Sequence, residues 1–307
     1  MIFAVLVAIL VSVGAGVWAE RRHGEGAQRA VQRAVKWALW GIIPPIVIVI
    51  TARLELSSGV GAGIVFGYLV LAAVGLLAWV IGSRVLHLPR SSTGALIVTS
   101  ILANTGYLGI PLILVLLGGD EVGFAIVWDS IISYPMAFIV AFAIGAAFGD
   151  HGASDVRDRI LSFFTKNPIP WAFAIGLLLP DAWVSDGLFD AMKILASSLL
   201  PLGFFMVGVQ LSAEGEHGTF RFPPPLTAPV ATVLGLRLLV APLLLLGIAA
   251  ATVSIPDAYH LQAAMPCGIN ALIVAHVYEL DLRLTSAAIA WSTAIFAVEV
   301  AILAPFL

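Results

Sequence analysis

The chain has 307 residues, 61% hydrophobic and 11% charged, with a mean hydropathy of +1.06. A soluble globular domain carries about 25% charged residues, so that class is excluded, and a net charge of −3 is too small to recruit nucleic acid. The single Cys267 excludes an internal disulfide.

A helix crosses the hydrocarbon core with about 20 mostly apolar residues. Ten such stretches follow in chain order, at 2–19, 31–51, 60–83, 92–117, 123–148, 168–180, 188–211, 226–253, 257–280 and 284–306. A transmembrane β-barrel needs alternating segments of about ten residues instead, so the pattern predicts an all-α polytopic membrane protein. The first run has no basic region ahead of it, and the basic cluster "ERRHGEGAQR" comes after it. That order predicts a retained span, not a cleaved signal peptide.

Span two carries Pro44 and Pro45 in "WGIIPPIV", and span four carries "ANTGYLGIPL", Ala103 to Leu112. Span five holds Asp129 in "VWDSIISYP", with Ser130, Ser133 and Tyr134 beside it. The connection "GDHGASDVRDRILSFFTKN", Gly149 to Asn167, separates the first five spans from the last five. Span six is short, span seven carries Pro201, span eight Arg237 and span nine "QAAMPCGIN". "GGDE", Gly118 to Glu121, copies part of a cyclase signature but lacks the soluble domain that chemistry needs, so it is read as a turn.

Basic residues favour cytoplasmic connections. Alternate connections hold Arg21, Arg22, Arg29, Arg33, Lys36, Arg84, Arg90, Arg157, Arg159, Lys166, Arg221 and Arg283, whereas the opposite set holds Arg53 and Lys193. Both termini are therefore expected on the non-cytoplasmic side of a cell membrane crossed many times.

Five is odd, so two halves of one fold enter the membrane in opposite senses. Pro201 follows Pro45 by 156 positions and Pro266 follows Pro111 by 155. The expected architecture is two inverted five-helix repeats, 1–148 and 168–307, joined by a cytoplasmic loop at 149–167.

Proline removes a backbone donor and glycine weakens a helix, so "NTGYLGIP" and "MPCGIN" are expected to unwind. Freed backbone groups at membrane depth survive where they line a cavity or pack inside protein, and half-helix N-termini attract anions. Asn104 and Asn270 stand beside the two breaks as hydrogen-bonding groups.

At these residues the chain resembles the auxin efflux carrier family of the bile acid/arsenite/riboflavin transporter group. The resemblance rests on "NTGYLGIPLILVLLG", "KNPIPWAFAIGL", "PLGFFMVGVQL" and "AAMPCGINALIVAHVYELD", and runs over essentially the whole chain. It implies an organic-anion exporter in which helices four and nine cross at the substrate. Substrate contacts are then expected from Asn104, Gly106, Tyr107, Pro111, Pro266, Cys267, Gly268 and Asn270, with Cys267 open to water. The long cytoplasmic loop of the large plant members is missing, so its regulation by phosphorylation is not implied.

Two readings stand for Asp129: a proton or cation carrier inside the membrane, or an interfacial carboxylate near the end of its span. Arg237 either pairs a carboxylate ligand or Asp129, or snorkels to an interface or structural ion pair. Glu299 is expected at the outer interface and His276 in the core. No cofactor or metal is expected beyond a coupling Na⁺ or H⁺, and the partners are lipid, a small organic anion and, as an open alternative, a second copy of the chain. The spans contain neither paired acids nor a nucleophile with its base, so an enzyme is not expected.

Overall fold

The computed structural model describes residues 2–54, 57–149, 165, 168–216 and 224–303. Among these the regular elements are helices, and the sole extended pairing is one isolated bridge. We number them α1 (Ile2–His23), α2 (Glu25–Ala52), α3 (Ser58–Val85), α4 (Arg90–Ile101), α5 (Thr105–Leu116) and α6 (Gly119–Phe148). The second half contains α7 (Ile169–Leu178), α8 (Asp186–Ser197), α9 (Leu199–Glu216), α10 (Ala228–Ala251), α11 (Asp257–Ala264), α12 (Asn270–Val277) and α13 (Leu282–Leu303).

Five stretches among the described residues are long and apolar enough to cross a membrane: α2, α3, α6, α10 and Asp186–Met206, which runs from α8 into α9. Their outward faces are apolar too, with Leu69, Leu76, Ile194 and Leu243 exposed. Such a surface would aggregate in water and suits lipid.

Wide π-type turns accompany the interior prolines. Ala38–Ile42 precedes Pro44, Thr105–Gly109 precedes Pro111, Gly235–Val240 precedes Pro242, and two such turns flank Pro135. A proline ring clashes with the carbonyl four residues earlier, and a wider turn carries that carbonyl past it.

The basic cluster after the first span is helical and not a loop. Gly24, at φ +50°, supplies the one turn between α1 and α2. Beyond it Ala27 and Val31 are buried while Glu25, Arg29 and Arg33 are exposed, so the amphipathic start of α2 packs inward as it leaves the apolar stretch. Contact between α1 and α9 is backbone-close: a methyl on Gly16 would lie 2.2 Å from the Phe205 carbonyl oxygen.

The main core joins α3, α4, α6, α10 and α13 through fully enclosed Val74, Leu96, Ile132, Leu245 and Ala288. Side chains tie the helix ends together. Arg53 pairs with Asp186 at 2.7 Å and donates to the Val184 carbonyl, and Glu121 accepts the Ala258 N–H at 2.8 Å. Elsewhere Arg90 donates to the Ala147 carbonyl and Ser92 to Asp281 at 2.7 Å.

Of "GGDE", Gly118 alone lies in the connection, at φ +92°, while Gly119 to Glu121 open helix α6, contrary to the turn expected there. His276 is exposed, contrary to its expected place in the core, because α12 is a short half-helix with one outward face. Glu299 is partly buried. The connection at 149–167, apart from Gly149 and Thr165, and Arg221 lie outside the described residues.

Candidate substrate site at the helix crossing

The string "MPCGIN" is unwound up to Ile269 as expected, whereas "NTGYLGIP" is helical from Thr105 onward and its break falls just ahead, at Leu102 to Asn104. α4 stops at Ile101 and α5 starts at Thr105; α11 stops at Ala264 and α12 starts at Asn270. The two unwound segments meet antiparallel at Ala103 and Cys267. There the Asn104 N–H donates to the Pro266 carbonyl and the Gly268 N–H to the Leu102 carbonyl, both at 2.8 Å. Each segment thus satisfies backbone groups freed in the other, as burial demands. Glycine is required at 268: a methyl there would lie 2.7 Å from the Ala103 carbonyl oxygen.

Four helix ends therefore meet at one place: the C-termini of α4 and α11, with partial negative charge, and the N-termini of α5 and α12, with partial positive charge. A cavity of about 230 Å³ opens beside them. Asn104, Gly106, Tyr107, Gly268 and Asn270 line it, together with Asp129 and Arg237. No described residue hydrogen-bonds the side-chain amide of Asn104 or Asn270.

Charged side chains offset two of the four ends. Thr105 donates to Asp129 Oδ1 at 2.5 Å, and a methyl on Gly106 would lie 3.1 Å from Oδ2, which places this carboxylate at the positive end of α5. Asp129 is 7% exposed, so it is enclosed by protein and does not stand in water. Arg237 is 1% exposed, and its Nη2 donates to the Ala263 carbonyl at the negative end of α11. Snorkelling is thereby excluded for Arg237. Among the described residues its Nε and Nη1 have no hydrogen-bond partner, and no acidic group forms an ion pair with it. The N-terminus of α12 carries no acidic residue in its first turn.

A guanidinium enclosed in apolar surroundings without a counter-charge is costly. Arg237 contributes to the cavity wall, while Nε and Nη1 themselves are enclosed. Asp129 and Arg237 are, among the described residues lining this cavity, the one acid and the one base.

Of the remaining residues expected to contact substrate, Pro111 lines a separate 40 Å³ cavity shared with Tyr107 and Asp129. Pro266 and Cys267 are buried in the crossing and do not line the main cavity. Cys267 is 0% exposed, with its N–H donating to Ser292 Oγ at 3.1 Å, so its thiol is closed to water in this state, against expectation. Its side chain points into the packed interior because the bridge commits the backbone on both sides.

Gln262 and Thr105 belong to the site although the sequence reading singled out neither. The Gln262 amide donates to the Thr105 carbonyl at 3.4 Å and the Ala125 carbonyl at 3.2 Å, tying α11 to α5 and α6. A fully buried amide in an apolar span was a visible signal at Gln262. The partner of Thr105 was not visible, since Asp129 is 24 positions away in another helix.

Residues 164–304 match the family described as membrane transport protein. This is the auxin-efflux-carrier-like family that the motifs resemble. The matched segment contains Arg237 and the second helix break; Asn104 and Asp129 precede it. An uncharacterized transporter of Methanocaldococcus jannaschii is 24% identical over 233 residues, covering 70% of this chain and 69% of that protein. An uncharacterized transporter of Methanothermobacter thermautotrophicus is 26% identical over 215 residues, covering 67% of this chain and 65% of that protein. The chain thus spans about two thirds of each relative, and both are named as transporters.

Proposed function

We propose that the chain is a secondary transporter of small carboxylates, working by alternating access around the crossing of α4–α5 with α11–α12. One observation carries the reading: a cavity bounded by two helix breaks has in its wall an enclosed guanidinium with two nitrogens unpartnered among the described residues, beside two asparagine amides that no described residue hydrogen-bonds. Anion capture by Arg237 and by the unopposed N-terminus of α12 follows from that charge arrangement.

In this reading ten spans form two inverted repeats, 1–148 and 168–307, in the cell membrane with both termini outside the cytoplasm. The matched proline offsets and the two opposed breaks support the repeat. Export is the direction the family resemblance implies, with an auxin-like acid or a mono- or dicarboxylate as cargo.

A thermal-shift screen of purified protein against organic acids tests the reading. A stabilising acid should lose its effect in Asn104→Ala and Asn270→Ala. Wild-type binding in both variants would remove these residues from the site.

A second reading, symport with Na⁺ or H⁺, is favoured by the Asp129 carboxylate in the same wall, held by Thr105 through one oxygen. Transport unchanged by removing sodium and collapsing the proton gradient would exclude it.

A further inference from the structure

The two charges of the cavity are not spent on each other. No ion pair joins Asp129 to Arg237, so their charged atoms lie more than 4.0 Å apart. Each is anchored at a helix end, and among the described residues Asp129 Oδ2 has no donor and the enclosed Arg237 Nε and Nη1 have no acceptor. The cavity therefore has a negative pole at the start of α5 and a positive pole at the end of α11.

A simple organic anion satisfies only one pole. Bound at Arg237 it leaves Asp129 desolvated and unpaired, and it places a second negative charge in a cavity of about 230 Å³. Both effects oppose binding, because an enclosed charge left without its partner is penalised more than a formed pair is rewarded. A molecule with one charge of each sign satisfies both poles. The wall also has an apolar part, with Trp128, Met136, Phe138 and Ile273, and the volume is below the roughly 300–1,000 Å³ usual for larger ligands.

We infer that the substrate is a small amino carboxylate with an apolar body, its carboxylate at Arg237 and Asn270 and its ammonium group at Asp129. The inference rests on the crossing being the substrate site and narrows the carboxylate class proposed for it.

The test measures binding to the purified full chain, in sodium and in potassium buffer, with two matched sets. One is phenylalanine, 3-phenylpropanoate and 2-phenylethylamine; the other is leucine, 4-methylpentanoate and 3-methylbutylamine. At least one amino acid should bind about tenfold or more tighter than both its des-amino acid and its amine. Asp129→Asn should erase the advantage over the des-amino acid and Asp129→Glu should retain it; Arg237→Gln should erase the advantage over the amine.

Equal or tighter binding of the des-amino acids in either buffer overturns the inference, as does an advantage that survives Asp129→Asn or vanishes equally in Asp129→Glu. If the des-amino acids bind through Arg237 without any amine advantage, the amino carboxylate falls and the carboxylate carrier stands. If neither amino acid nor des-amino acid binds, both fall. The wild-type comparison decides the matter even where a variant does not fold.

Discussion

At Arg237 stability and function pull in opposite directions. Replacing an enclosed, unpaired charge by an apolar side chain of similar length is neutral or stabilising, by about 1–4 kcal/mol in comparable cases. Arg237→Met is therefore expected to melt at the same temperature as the wild type or higher, while Arg237→Gln weakens carboxylate binding by about ten- to a hundredfold. Thermal unfolding and ligand titration of the same preparations check both; a strongly destabilised Arg237→Met would mean the guanidinium is a structural strut. Gln262 is the contrasting case. Its two donated bonds run between helices in the interior, and both carbonyls keep a backbone donor of their own helix, so Gln262→Leu loses the tie alone and should lower stability by about 1 kcal/mol.

Among the elements, the crossing depends on close backbone approach. Gly268→Ala forces a methyl against the Ala103 carbonyl, and a cost of about 1–3 kcal/mol is expected, seen as a lowered melting temperature together with lost transport. Full stability in this variant would show that the two segments separate easily. The second break was legible in the sequence because Pro266 and Gly268 stand inside it, whereas the first lies about two turns ahead of Pro111, which belongs to α5. Asp129 and Arg237 were legible as charges in apolar runs, and each proved to sit in a wide turn ahead of a proline, Pro135 and Pro242. What they touch was not legible: the Thr105–Asp129 bond and the Gln262 bridge depend on how separate helices pack. The orientation of Cys267 was hidden for a related reason, since helical periodicity does not extend through unwound backbone. His276 shows the same limit, because a short half-helix has no fixed face until its neighbours are placed.

For the whole molecule, Cys267 reports on the state of the crossing. It is the one thiol in the chain and is fully enclosed, so a polar maleimide should react with the resting protein slowly. Conditions that drive turnover should speed the reaction if the segments around the bridge part during transport; an unchanged rate would mean that the crossing moves as a rigid unit. The central claim is that the unpaired guanidinium at the crossing captures a carboxylate that the protein then carries across the membrane. Counterflow of a labelled carboxylate ligand into proteoliposomes, wild type beside Arg237→Gln, tests it most directly. Accumulation in the wild type and its loss in the variant is the expected result; binding without counterflow, or equal counterflow in both proteins, would contradict it.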